Sequence, residues 1–286
     1  MDHTSSLLPG PSVTLRGAVE MPRFGFGTYK VEPGVTERVV SEALEVGYRL
    51  IDTATMYGNE AEVGRALASS GLPREEVFVT TKLNNPDVEP QQVRDAFARS
   101  LDSLGLEQVD LYLIHWPMAN TTDYVSRWRT VCEFLHDGRA RAIGVSNFQP
   151  QHLRAIIDAT TEVPAVNQVE VTPYLTQDEV RQVDAELGVV TQAWSPLARG
   201  TVLDDFVVGQ VAERLDCTPA QAVLAWHLAR GESLVVKSSS RERMVENAGA
   251  LAVVDRMDDE AMEALTGLNR DERSGSGPDD VEFGGR

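Results

Sequence analysis

Eight short apolar runs, each followed by a stretch of helical period, predict an α/β chain folded as a (β/α)₈ TIM barrel. A β-hairpin is expected in front of the barrel and extra helices towards the C-terminus. Three observations carry this expectation. The alternation is unbroken, the length of 286 residues suits a fold that usually needs about 250, and polar residues collect at one end of the apolar runs. One domain covering residues 1–286 is expected.

Taken in order, residues 13–22 read as the hairpin, turning at Arg16-Gly17. The strand-like runs are 24–27, 49–51, 77–81, 109–114, 142–145, 165–169, 189–193 and 234–236. Helical period marks 35–46, 60–69, 91–104, 124–136, 150–159, 177–187 and 241–250. Gly47, Gly71, Gly105, Gly138 and Gly188 follow the last apolar turns, as helix C-caps would. Residues 198–227 hold two helical pieces, divided near Thr218-Pro219, an N-cap followed by proline. Residues 270–286 are polar and glycine-rich and read as a flexible tail. The alternative is an open doubly wound sheet, which usually carries a glycine-rich turn after its first strand. Gly25-Phe26-Gly27 lies near the first strand, but the third glycine is missing.

The formal charge is −18, from 26 basic and 44 acidic side chains, and it repels nucleic acid and anionic membrane, so neither is an expected partner. Cys132 and Cys217 fit no disulfide or metal pattern and suit a reducing cytoplasm. Residues 1–12 do not read as a signal peptide. No apolar stretch reaches the ~18 residues needed to span a bilayer. His3, His115, His136, His152 and His227 lack ligand spacing, so no metal is expected. With no long apolar stripe left over, a monomer is expected.

Chemistry in such a barrel belongs at the C-terminal ends of its strands. The residues that follow the apolar runs there are Asp52, Lys82, His115, Ser146-Asn147, Gln168, Trp194-Ser195 and Lys237-Ser238. Each has an ordinary structural reading. Asp52 could cap a turn, Tyr57 could be a packed aromatic, Lys82 a solvated cation and His115 a satisfied core histidine. Together they point to a single site. Asp52, Tyr57, Lys82 and His115 suit the reduction of a carbonyl, which needs a proton for the nascent alkoxide. A tyrosine can give it, but its ordinary pKa of about 10 is high for transfer near neutrality. An adjacent lysine is expected to lower it, an aspartate to hold the lysine, and a histidine to orient the carbonyl.

The runs 52–60, Thr81-Lys82, 113–117 and 144–148, with Lys237-Ser238, Arg243 and Glu246-Asn247, resemble the aldo-keto reductase superfamily across about residues 13–270. The segment after His115 and residues 139–144 are similar to its bacterial 2,5-diketo-D-gluconate reductases. The resemblance implies NADPH-dependent carbonyl reduction with Tyr57 as general acid, helped by Lys82 and Asp52, and with His115 orienting the substrate. It further implies that Ser146, Asn147 and Gln168 hold the nicotinamide carboxamide and that Trp194 stacks on the ring. Gly27, Thr28, Ser195, Leu197, Lys237, Ser238, Arg243, Glu246 and Asn247 would contact the rest of the dinucleotide, with Lys237 and Arg243 selecting NADPH over NADH. The substrate, a small carbonyl compound, would meet Phe24, Tyr29 and Trp116, with Trp128 or the tail as further candidates. The tail after Arg270 is expected to close over the substrate rather than the nicotinamide, with Gly275 and Gly277 giving mobility and Phe283 an apolar anchor. Tyr29 departs from a common tryptophan, and Val236 from a common proline. The competing function is a non-catalytic NADPH-binding sensor, which would need neither Tyr57 nor Lys82.

Overall fold

The computed structural model describes residues 7–278 and Val281. A two-stranded antiparallel hairpin comes first, β1 (Ser12–Leu15) and β2 (Val19–Pro22). Eight parallel strands then close a barrel: β3 (Phe24–Gly27), β4 (Leu50–Asp52), β5 (Phe78–Leu83), β6 (Val109–Ile114), β7 (Ala140–Ser146), β8 (Val166–Glu170), β9 (Val190–Trp194) and β10 (Ser233–Val236). Each pairs with its sequence neighbour, and β10 closes on β3. The helices are α1 (Pro33–Val46), α2 (Glu60–Ser69), α3 (Pro90–Leu104), α4 (Tyr124–His136), α5 (Pro150–Thr160), α6 (Asp178–Leu187), α7 (Phe206–Arg214), α8 (Pro219–Ala229), α9 (Arg241–Ala248) and α10 (Asp259–Thr266). Proline at the first helical position starts α1, α3, α5 and α8, where no amide donor is lost. Gly47 closes α1 at φ 117°, a conformation open to glycine and strained for other residues.

Alternation along the strands sorts the core into two layers. Leu50, Phe78, Leu111, Leu113 and Val235 point into the barrel. Ile51, Val79, Tyr112, Ile114, Leu234 and Val236 point outward onto the helices. Leu15, Val19 and Met21 of the hairpin join the inner layer and stopper its amino-terminal end. Beside them Asp110, at the start of β6, takes Arg74, Arg141 and the Val79 amide. Inward space is tight: a side chain at Gly25 would meet Leu50 at 2.4 Å, and one at Gly144 would meet the Val166 carbonyl at 2.5 Å. The interior is therefore filled below, and the open volume lies at the carboxyl end.

The hairpin, the eight strands and the split of 198–227 into helices at Pro219 match the sequence expectations. Two differences matter. The helix expected over 241–250 ends at Ala248 and continues as a 3₁₀ turn, Gly249–Ala252. The sequence reading missed α10, which Asp258 caps through the Ala261 amide and which packs on α7 and α8. Only Ala261 and Leu265 of its eight residues are buried, too thin an apolar stripe to be read from period alone.

Candidate active site

Alternation that buries leucines lower in the barrel turns Asp52, Lys82, Gln168 and Gln192 inward near its top. Lys82 has no solvent exposure. Its ammonium donates to Asp52 Oδ1 at 2.6 Å, to the Thr53 carbonyl at 3.0 Å and to Tyr57 Oη at 3.3 Å. These contacts use all its N–H donors. Gln168 Nε2 donates to Asp52 Oδ2 at 2.7 Å and to Gln192 Oε1 at 2.6 Å. Asp52 is thus gripped on both oxygens.

Tyr57 ends a 3₁₀ turn, Thr55–Tyr57, after β4. Buried Asn59 fixes this turn: it donates to the Thr28 and Val31 carbonyls and accepts from Thr53. The Tyr57 ring lies 5.7 Å from the His115 ring, nearly edge-on, and 5.1 Å from Tyr29. His115 is buried, with Nδ1 lacking a hydrogen-bond partner. Burial, aided by the charges of Lys82 and Arg127, holds its imidazole well below the ordinary histidine value, so the ring is neutral at neutral pH.

The phenol behaves differently from the sequence expectation. Burial in the cleft pushes Tyr57 well above the ordinary tyrosine value, with Asp52 and Tyr29 acting in the same sense. Burial also lowers Lys82, against the pull of Asp52. In the free site, then, Tyr57 carries its proton at neutral pH.

A cavity of about 1180 Å³ extends from these side chains to α9. Gly27, Tyr29, Asp52, Tyr57, His115, Trp116, Ser146, Asn147, Gln168, Trp194, Ser195, Leu197, Lys237, Ser238, Arg243, Glu246 and Asn247 all line it, as the sequence reading expected. Lys82 lies just behind the wall. Three expectations are corrected. Phe24 does not line the cavity: alternation on β3 turns it outward, where it packs 5.8 Å from Tyr48. Thr28 is buried and spends its hydroxyl on the Asp52 carbonyl and Asn59. Trp128 lies in the helix layer and donates to Thr160.

Asn147, at φ 64°, and Ser195, at φ 49°, turn the chain sharply after β7 and β9. Asn147 donates to the His115 carbonyl and accepts from Trp194 Nε1 at 2.9 Å. At the far end Ser240 caps α9. Lys237 and Arg243 are exposed there, and neither forms an ion pair among the described residues. By contrast, neighbouring Arg241 is paired with Glu45. Sequence reasoning missed Lys30 and Arg199 on the wall; Gly275 and Ser276 there belong to the tail expected to close over the substrate. Arg199-Gly200, one residue beyond the strand-end run 194–197, was the available signal for that arginine. Among the described residues no group of acidic, histidine and cysteine side chains is placed to hold a metal ion. No helix among them is long and apolar enough to cross a membrane.

Comparison with known proteins agrees with this geometry. Residues 23–270 match the aldo/keto reductase family. An aldo-keto reductase of Mycobacterium bovis is 47% identical over 269 residues, spanning 94% of this chain and 95% of that protein. Among solved structures, Gox0644 in its apo form superposes with a TM-score of 0.91 at 37% identity, covering 96% of this chain and 99% of the other. A Bombyx mori aldo-keto reductase in complex with NADP has a TM-score of 0.86 at 31% identity, covering 93% and 95%. The chain belongs to the aldo/keto reductase family.

Proposed function

We propose that this protein reduces aldehydes and ketones to alcohols with NADPH, as an oxidoreductase of CH–OH donors with NADP as acceptor, and that Tyr57 supplies the proton. The carrying observation is the commitment of Lys82. Its ammonium has no lone pair and donates to Tyr57 Oη, so the phenol's own O–H is left to point into the cavity.

The residues fit the dinucleotide. The cavity is long enough to lead from Tyr57 to α9, and it ends on Lys237 and Arg243, which form no ion pair among the described residues and suit a 2′-phosphate. Asn147, Ser146 and the Oε1 of Gln168 would hold the carboxamide, and Trp194 would flank the ring. Ser195, Leu197, Ser238, Glu246 and Asn247 would line the remainder. When bound, the cofactor supplies hydride to the carbonyl carbon.

The protein's side chains do the rest. Tyr57 O–H and the neutral His115 both donate to the carbonyl oxygen and fix it. As negative charge grows there, the Tyr57 proton moves onto the oxygen. The phenolate left behind faces the Lys82 ammonium, which Asp52 holds in place. Because His115 stays neutral well below its ordinary range, its orienting role should not change through pH 6–8. Tyr29 and Trp116 line the side open to substrate. Exposed large apolar side chains among the described residues are only Tyr29, Val35 and Phe206, on separate elements, which supports a monomer. The free thiols suit a reducing cytoplasm.

The test is NADPH oxidation with a panel of aldehydes and ketones, alongside titration of Lys237→Ala and Arg243→Ala with NADPH and NADH. Each substitution should weaken NADPH by roughly 1.5–3 kcal/mol, the range for a hydrogen bond to a charged group, and change NADH far less. Binding of NADPH with no turnover of a reactive aldehyde would favour the sensor reading. Equal losses for both cofactors would remove these cations from the 2′-phosphate.

A further inference from the structure

Glu170 is a buried carboxylate that the proposed reaction does not use. It ends β8, two residues after Gln168 on the same inward face, and pairs in register with Trp194 on β9. It has no solvent exposure and forms no ion pair among the described residues. Its oxygens are met instead by the C-terminal segment. The Ser274 amide donates to Oε1 at 2.7 Å, the Ser274 hydroxyl donates to the same oxygen, and the Gly275 amide approaches Oε2 at 3.3 Å.

This clasp presses Gly275 against the indole. A Cβ at 275 would lie 2.8 Å from Trp194 Cη2 and 3.3 Å from an Arg199 guanidinium nitrogen. Glycine alone lets the segment approach so closely. Ser276 and Val281 continue along the cavity wall. The other side of the indole edge is tied down by Nε1 donating to Asn147.

We propose that Glu170 is a positioning residue for Trp194: it clasps the C-terminal segment onto the indole and so controls how fast the dinucleotide leaves. The proposal rests on the reading that the nicotinamide lies against Trp194. It also revises the division of labour expected from the sequence. Residues 274–275 serve the cofactor side, while Phe283, the anchor expected to close over substrate, lies outside the described residues.

The experiment compares Glu170→Gln and Gly275→Ala in the full-length chain, each also in a Trp194→Phe background. Glutamine keeps the shape but puts an NH₂ where an oxygen must accept. Tryptophan emission of the apoprotein reads the clasp, and stopped-flow displacement of NADPH reads its consequence. Both variants should shift the emission and speed NADPH release about tenfold, the low end for losing a hydrogen bond to a charged group. Trp194→Phe should remove the emission shift and most of the acceleration, since coupled residues are not additive. An unchanged emission and an unchanged release rate in both variants overturn the proposal. So does an acceleration that persists in full without Trp194. A wild-type protein that binds no NADPH overturns the functional reading, and the emission shift in the apoprotein then still decides the clasp itself.

Discussion

At the amino-terminal end of the barrel Asp110 accepts from Arg74 and Arg141, each at 2.6 Å, and from the Val79 amide at 2.8 Å. At the carboxyl end Asp52 accepts from Lys82 at 2.6 Å and Gln168 at 2.7 Å. Both carboxylates are buried and both are paired. They differ in what the pairing leaves over. At the lower end the arginines run out towards solvent, 35% and 39% exposed, and the hairpin covers the interior. At the upper end the lysine is sealed in, and its third donor falls on Tyr57, which is left with an uncommitted proton beside a neutral histidine. A buried charge network is not itself a sign of catalysis. The sign is a network that closes on itself except for one proton facing a cavity.

The largest expected effect is at the sealed pair. Lys82→Met strands Asp52 without a cation and should cost about 3–5 kcal/mol of stability, together with activity. Adding Asp52→Asn should restore most of that stability but not turnover. Denaturant melts and NADPH oxidation on the three proteins check both halves. Recovery of turnover in the double variant would mean the pair is only structural.

Asp110→Ala should cost less, about 1–3 kcal/mol, because its arginines can turn to water and only the Val79 amide is left without a partner. kcat should not change. A fall in kcat beyond the fraction unfolded would couple the two ends and break the comparison.

A further effect, read as a pH slope, concerns a buried carboxylate at neither end. Asp184, on α6, accepts from Asn167 and Thr191, and burial pushes it up to about 7 from 3.8. The folded state therefore holds this proton more tightly than the unfolded chain does. Stability from this group is present below the unfolded value and lost as pH rises through about 7. Asp184→Asn should flatten that slope in melts between pH 4 and 7.5, and an unaltered slope would assign it to another group.

Much of this was legible in the sequence because strand ends are legible. Asp52 and His115 stand one step past apolar runs, and Gln168 near the end of one, where a barrel must open. Lys82 was found the same way, but its complete burial was not, and with it the upward push on Tyr57 that reversed the expected shift. Phe24 was misassigned because β3 reads Phe-Gly-Phe-Gly, so the faces cannot be told apart by which one is apolar. Glu170 escaped notice because the groups that satisfy it lie 104 and 105 residues away.

In the proposed mechanism Tyr57 gives the proton while taking no necessary part in holding the cofactor. Steady-state reduction of an unactivated ketone by Tyr57→Phe, with NADPH affinity measured on the same preparation, tests it most directly. A loss of about 10²–10⁴ in kcat with NADPH affinity little changed is expected. Near-normal turnover, or a loss explained wholly by weaker NADPH binding, would contradict it.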